Sequence, residues 1–152
     1  MHTALGARLI PFGGWEMPVE YSGIAKEHTA VRNAAGLFDV SHMGEFKVEG
    51  HDAQSFLQYL VPNNVSRLDI HQALYTQLCL PDGNVIDDLL VYSLAEQHYL
   101  LVVNAANIAK DLAWVREQAQ RFTDVVVTDQ SDATALVALQ GPAALTILRE
   151  LT

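Results

Sequence analysis

Residues 81–92 read PDGNVIDDLLVY, and this stretch decides how the chain around it folds. Pro-Asp-Gly-Asn is a turn signal, because proline presets φ and glycine or asparagine tolerates a positive φ. Residues 85–94 are rich in branched and aromatic side chains, which predicts a strand. Residues 73–80, before the turn, have the same character, so we expect the two segments to form a hairpin.

Two adjacent carboxylates, Asp87 and Asp88, interrupt this predicted strand. Successive strand residues point to opposite faces, so one of the two acids is carried toward the core. A carboxylate there costs free energy unless a partner or a ligand compensates it. The alternative is a strand that begins near the surface, with both acids solvated or capping the turn. The pattern alone favours this plainer interpretation.

The remainder of the chain predicts a succession of helices and strands. Helices are expected over residues 23–35, 53–60, 107–121 and 142–151, and further strands over 44–50, 99–103, 125–128 and 135–140. Asp52 is a candidate cap for the second helix. Residues 1–11 show no clear period, residues 12–18 are expected to form a loop, and residues 37–43 an extended or turning segment. Together these elements predict an α+β domain, with helices packed on a mixed or antiparallel sheet.

The composition is that of a globular protein, since half of the 152 residues are hydrophobic and 18% are charged. The length suits one domain of ordinary size. The formal net charge is −9, and no run of lysine and arginine occurs. This balance argues against a nucleic-acid partner, which requires clustered cations.

The single cysteine and the hydropathy of the chain indicate the cellular compartment in which the protein is expected. Cys79 is the only cysteine, so an intrachain disulfide is impossible and a reducing compartment is permitted. No apolar run reaches the length of a membrane span, and the N-terminus has no signal-peptide pattern. We therefore expect a soluble protein without a membrane partner, cytoplasmic if the organism is bacterial.

Several common catalytic patterns are missing from the sequence. No histidine pair has zinc-ligand spacing, so no metal is expected. There is no G-x-S-x-G motif and no phosphate-binding glycine loop. What remains is the acid pair, two aromatic loops and Asn104 at the end of a strand. From the residues alone, this is an α+β domain with a candidate carboxylate site and no nameable substrate.

Four stretches, taken together, resemble one family. They are PFGGWEMPVEY (residues 11–21), EHTAVRNAAGLFDVSHMG (27–44), DGNVIDDLLVY (82–92) and VALQGPAA (137–144). Their wording, order and spacing are similar to the aminomethyltransferase, or T-protein, of the glycine cleavage system. Members of this family are well over twice as long, so residues 1–152 are expected to be the N-terminal part of its folate-binding domain, an expressed fragment that is inactive alone.

The resemblance implies a reaction. The family moves the methylene of an aminomethyl group, carried on the dihydrolipoyl arm of the lipoylated H-protein, to tetrahydrofolate, and ammonia is released. Cleavage of the carbon–nitrogen bond passes through a cationic, iminium-like species, which a fixed carboxylate stabilises electrostatically. The same carboxylate can orient the folate for attack.

The resemblance also assigns the two acids. It places the family's catalytic carboxylate at Asp88, the second acid of the pair, which would also contact the folate. Asp87 is then the supporting acid, with the backbone of the turn as a candidate bonding partner.

The family's pocket positions match Met43, Tyr75, Val102 and Asn104. Met43 is expected to pack against the pterin and Tyr75 to line its flank, while Val102 and Asn104 contact it from the next strand. The plainer interpretation of Met43 and Val102 is core packing, and for Tyr75 the two interpretations are balanced.

Two rival functions stay open. Relatives that share the fold include a folate-dependent iron–sulfur maturation protein, so the chain could belong to a folate-binding regulatory or assembly factor without transferase activity. A purely structural domain with a solvated acid pair is the other. For the fragment itself, the apolar surface left by the missing part of the enzyme is expected to favour self-association.

Overall fold

The computed structural model of the protein describes residues 1–151, and these form two compact units. One unit contains residues 1–42 and 136–151, and the other contains Met43–Ala135. The chain therefore leaves the first unit once and later returns to it. No shift in composition marks these crossings, because both ends of the second unit are short connections rather than linkers.

The elements, numbered in chain order, mix strands with helices. The strands are β1 (Arg8–Phe12), β2 (Trp15–Glu20), β3 (Gly36–Asp39), β4 (Gly44–Glu49), β5 (Ala73–Cys79), β6 (Val85–Ala95), β7 (His98–Val103), β8 (Val126–Asp129) and β9 (Val137–Gln140). The α-helices are α1 (Ile24–Asn33), α2 (Ala53–Leu60), α3 (Ile108–Ala119) and α4 (Ala144–Leu148). The predicted α+β class is confirmed.

The first unit contains two antiparallel pairs, β1 with β2 and β3 with β9. The expectation of a loop over residues 12–18 was wrong, because most of that range is strand β2. Gly13 and Gly14 both have positive φ and form a two-residue hairpin turn between Phe12 and Trp15. Pro11 in β1 and Pro18 in β2 argued against a strand in the sequence, although proline is tolerated on the unpaired edge of a strand.

The second unit is a five-stranded antiparallel sheet with the order β5-β6-β7-β4-β8. The predicted hairpin is confirmed as β5 and β6, and β7 follows beside β6 as expected. One face carries the hydrophobic core, to which α2 and α3 contribute. Its most buried large side chains include Phe46, Phe56, Leu57, Leu78 and Leu101.

Alternation along β6 distinguishes the two faces of this sheet. Asp87, Leu89 and Val91 are buried on the core face, while Asp88 and Leu90 are half-buried on the other. We call the latter the second face, and define it by Tyr75, Asp88, Leu90 and Val102, which the strand register places on it.

Two sequence expectations about the helices need correction. Asp52 precedes α2 as predicted, but its side chain does not cap that helix. Its Oδ2 atom accepts hydrogen bonds from Thr123 Oγ1 and the Asp124 backbone N–H, both at 3.1 Å, in the loop after α3. The last helix is shorter than expected, spanning Ala144–Leu148. Among residues 1–151, none of the helices has the length and apolar character needed to span a membrane.

Candidate functional site

Asp88 and Tyr75 meet on the second face of the five-stranded sheet. The Tyr75 hydroxyl, on β5, donates a hydrogen bond to Asp88 Oδ2, on β6, at 2.9 Å. This bond to a carboxylate raises the pKa of Tyr75, so the phenol remains a donor at neutral pH. Tyr75 is 61% exposed and Asp88 is half-buried. The carboxylate is thus oriented by a neighbouring strand and is still partly accessible.

Asn104 holds the same carboxylate from the opposite side. It follows the last residue of β7, and because Val103 pairs with Leu89, the register brings Asn104 beside Asp88. Its Nδ2 atom lies 3.0 Å from Asp87 Oδ1, 3.1 Å from the Asp88 backbone oxygen and 3.3 Å from Asp88 Oδ1. One side-chain amide therefore connects the two acids.

Asp87 is buried, with 7% of its surface exposed. The interpretation in which both acids are solvated is therefore wrong for Asp87. It does not bond to the turn: Asp82 Oδ1 accepts from the Asn84 backbone N–H there instead. Burial alone would raise the pKa of Asp87, but hydrogen bonds, first from Asp111 and then from Asn104, outweigh it and hold that pKa below its usual value.

Asp111, on α3, is the partner that the sequence reasoning missed. Its side chain is fully buried, and it lies close enough to the Asp87 carboxyl group for a hydrogen bond once one of the two acids is protonated. Burial, and then the bond to Asp87 and its charge, raise the pKa of Asp111 to about 8. A signal was present, since Asp111 lies at helical spacing from Ile108 and Val115 on the predicted apolar face. A charged residue at such a position needs a partner.

Two of the expected pocket positions, Tyr75 and Val102, lie in one register row across the sheet. Tyr75 pairs with Leu90, Leu90 with Val102, and Val102 with Glu45, across β5, β6, β7 and β4. Val102 is 4% exposed but lies outside the hydrophobic cluster of the core face. Val102 is therefore a buried apolar side chain on the second face, and both interpretations of it stay open. Met43 is half-buried and precedes β4, two residues before Glu45.

Glu45 is a third buried acid, after Asp87 and Asp111, and its burial was not expected from the sequence. A charged side chain that alternates with apolar ones along a strand usually faces solvent, but Glu45, which alternates with Phe46 and Val48, is fully buried. Neither of its carboxylate oxygens has a hydrogen-bond partner among residues 1–151. Burial, and then the charge of Asp129, raise its pKa. Glu45 therefore adds a protonatable group at the end of the register row.

A separate cavity of about 400 Å³ lies within the first unit. Its walls are mainly apolar and include Tyr21, Val31, Leu37 and Phe38. None of the six predicted site positions lines it. In the part of the chain that the structure describes, no group of three histidine, cysteine or acidic side chains is placed to hold a metal ion.

The arrangement around Asp88 suits electrostatic chemistry. The carboxylate receives hydrogen bonds from a phenol and an amide, both of which come from neighbouring strands. Donors of this kind orient a carboxylate without supplying a compensating positive charge. Such a group can stabilise a cation that develops beside it, or accept hydrogen bonds from a ligand.

Comparison with known proteins agrees with this fold and its motifs. A family model described as the GCVT N-terminal domain matches residues 1–152. The crystal structure of glycine cleavage system aminomethyltransferase T from Bartonella henselae superimposes with a TM-score of 0.90 at 39% identity, covering 98% of this chain and 41% of that one.

Curated relatives are similar along the whole chain. The aminomethyltransferase of Bacillus subtilis (strain 168) is 56% identical over 152 residues, which are 100% of this chain and 41% of that protein. The aminomethyltransferase of Halothermothrix orenii is also 56% identical over 152 residues, 42% of its length. The chain therefore spans about two-fifths of the length of the relatives it matches.

Proposed function

We propose, from the premise that this chain belongs to the GCVT N-terminal domain family, that it supplies the catalytic carboxylate of a glycine cleavage aminomethyltransferase. In this reaction an aminomethyl group on the dihydrolipoyl arm of the H-protein gives its methylene to tetrahydrofolate. The products are 5,10-methylenetetrahydrofolate, ammonia and the reduced lipoyl arm.

The observation that carries this proposal is the setting of Asp88. Its carboxylate is held between the Tyr75 hydroxyl at 2.9 Å and the Asn104 amide at 3.3 Å. Breaking the carbon–nitrogen bond leaves positive charge on the carbon that is transferred. A carboxylate that is already oriented stabilises this charge without first having to reorganise. Asp88 is therefore the residue to which we assign the electrostatic role.

Folate binding is assigned to the same face of the sheet. Tyr75, Val102 and Asn104 surround Asp88 on β5 and at the end of β7, and Met43 precedes β4. The exposed Tyr75 ring offers a flat apolar surface to a pterin, and the amide and the carboxylate offer polar contacts, while the buried Val102 packs within the sheet next to Leu90 in the register. Asp87 supports this set from the core face through Asn104.

The partners follow from the same proposal. The lipoylated H-protein delivers the aminomethyl group, and tetrahydrofolate acts as co-substrate; we assign no metal to the reaction. We place the activity in the bacterial cytoplasm, in keeping with the bacterial relatives. Self-association of the isolated chain remains an expectation, which sedimentation would test.

The test uses the complete gene product that contains this sequence. Aminomethylated H-protein and tetrahydrofolate are supplied, and ammonia and methylenetetrahydrofolate are measured. Asp88→Asn should lower kcat by roughly 100-fold or more, because the stabilising charge is lost. Glu96→Gln, which makes the same chemical change in an exposed turn, should leave kcat unchanged. Thermal melting checks that both variants fold.

Two results would overturn the proposal. Full activity of folded Asp88→Asn would remove the assigned role from that carboxylate. Tight binding of tetrahydrofolate by the complete protein, with no transfer from the H-protein, would instead favour the regulatory or assembly factor.

A further inference from the structure

We propose that Asp111 is a positioning residue for the candidate site: its carboxyl group donates a hydrogen bond to Asp87, and through Asp87 and Asn104 it orients the Asp88 carboxylate. This inference rests on the proposed function, because it deepens the account of the same site. It assigns a role to a residue on α3, which lies outside the sequence motif that carries Asp87 and Asp88.

The first step is the burial of two acids against each other. Asp111 is fully buried, and Asp87 is 7% exposed. With both acids ionised, Asp87 Oδ2 and both carboxylate oxygens of Asp111 are buried without a hydrogen-bond partner among residues 1–151. Buried polar atoms are nearly always hydrogen-bonded. A single proton shared between the two carboxyl groups gives one oxygen of each acid a partner, as it does in other paired carboxyl groups.

The second step is which acid carries the proton. Asp87 already accepts the Asn104 amide at its Oδ1 atom, which favours its charged form. Asp111 is the more deeply buried of the two, and the ammonium group of Lys110, the adjacent residue, donates a hydrogen bond to the Ile86 backbone oxygen at 2.8 Å. Asp111 is therefore the acid that stays neutral and donates, and Asp87 is the one that accepts.

The third step leads to Asp88. The Asn104 amide is shared between Asp87 Oδ1 at 3.0 Å and Asp88 Oδ1 at 3.3 Å. Without a proton from Asp111, the Asp87 carboxylate would depend more strongly on this amide. The amide would then turn away from Asp88, which would keep only the Tyr75 hydroxyl. Loss of the Asp111 proton would therefore change the orientation of the Asp88 carboxylate on the second face.

The experiment compares two substitutions at one position in the complete gene product. Asp111→Asn keeps a donor for Asp87, whereas Asp111→Leu removes it at similar size. We expect Asp111→Asn to retain kcat within a few-fold, and Asp111→Leu to lower kcat by roughly 10- to 100-fold with little change in KM for tetrahydrofolate, as misplaced catalytic groups do. Val115→Ala, a core truncation on the same helix, controls for simple loss of stability.

The pH profile supplies a readout that a purely structural role would not move. The groups that face Asp111 are Asp87 and Asp88 from β6 and Lys110 on its own helix. Wild-type kcat should fall as the pH rises through about 8, where Asp111 loses its proton. Asp111→Asn should lose this decline, because an amide has no proton to lose in that range.

The outcomes separate this inference from the proposed function. It is overturned if Asp111→Leu keeps wild-type kcat, or if Asp111→Asn loses as much as Asp111→Leu. If Asp111→Leu does not fold, the dependence of kcat on pH in Asp111→Asn is the deciding measurement. A fall in kcat above pH 8 identical to that of the wild type rejects the inference. Failure of the proposed function appears instead as a wild-type protein without transfer activity. In that case the infrared difference between wild type and Asp111→Asn, in which any band from Glu45 cancels, should contain the carbonyl band of a protonated acid and still reports the pair.

Discussion

The hydroxyl group of Tyr75 lies 2.9 Å from Asp88 Oδ2, and this bond joins two neighbouring strands on the face of the sheet opposite the core. The two residues are not directly opposite each other, since Tyr75 pairs with Leu90. The long phenol therefore reaches diagonally across the pair, as aromatic side chains in antiparallel sheets can do.

This relationship predicts the effect of removing one oxygen atom. Tyr75→Phe leaves the ring in place but takes the donor from Asp88, so the carboxylate loses one of its two side-chain hydrogen bonds. We expect kcat/KM for the transfer reaction to fall by roughly fivefold. Tyr92→Phe is the matched control, because Tyr92 lies on the same face of β6 beyond Leu90. Equal losses in both variants would contradict a specific role for the Tyr75 hydroxyl.

Replacement of the amide that links the two acids should be more damaging. Asn104→Asp changes a donor into a third carboxylate within 3.3 Å of Asp87 and Asp88 atoms. Like charges at this distance repel, so we expect the melting temperature to fall at pH 8 and to recover partly at pH 5 as carboxyl groups protonate. Asn84→Asp makes the same change beside Asp82 in the exposed turn and should have little effect. If the two variants melt alike at pH 8, the buried amide does not hold the acids together.

The pKa of Asp111 predicts how stability depends on pH. Its usual pKa of 3.8 is raised to about 8 by burial and then by Asp87. Between these values the folded protein binds a proton that the unfolded chain has released, so the free energy of unfolding should fall as the pH rises. The slope is at most about 1.4 kcal/mol per pH unit for one proton.

Asp111→Asn isolates this contribution. Glu45 also has a raised pKa and acts in the same direction, so the wild type and the variant are compared by denaturant unfolding at pH 5, 6, 7 and 8. The variant should lose less stability across this range than the wild type does. Parallel curves would show that Asp111 is not protonated in the folded state.

Two glycines allow backbone strain and steric overlap to be separated. Gly50 and Gly83 both have positive φ, but a Cβ atom on Gly50 would overlap the Asp124 backbone oxygen, whereas Gly83 faces open space. Gly83→Ala should cost about 1–2 kcal/mol from backbone strain alone. Gly50→Ala should cost more, because the loop that binds Asp52 must also move. Denaturant midpoints would measure both, and equal losses would show that the loop yields freely.

The hairpin that carries the acids was accessible from the sequence because its signals are local. Pro81 and Gly83 select the turn, and branched side chains on both sides favour strands. The pairing of β3 with β9 was not accessible, because it joins Gly36 to Gln140 across most of the chain. Such contacts depend on loop closure and on packing, which no short window of sequence contains.

Because side chains alternate along a strand with a period of two, the adjacent pair Asp87-Asp88 is enough to predict that one of these acids faces the core. Which of them does so depends on strand pairing: the register of β6 against β5 and β7 buries Asp87 and leaves Asp88 between Tyr75 and Asn104. The burial of Asp111 was likewise decided by the packing of α3 on the sheet. A carboxyl group is kept in such a place by its partners in space, and these come from segments far apart in the chain.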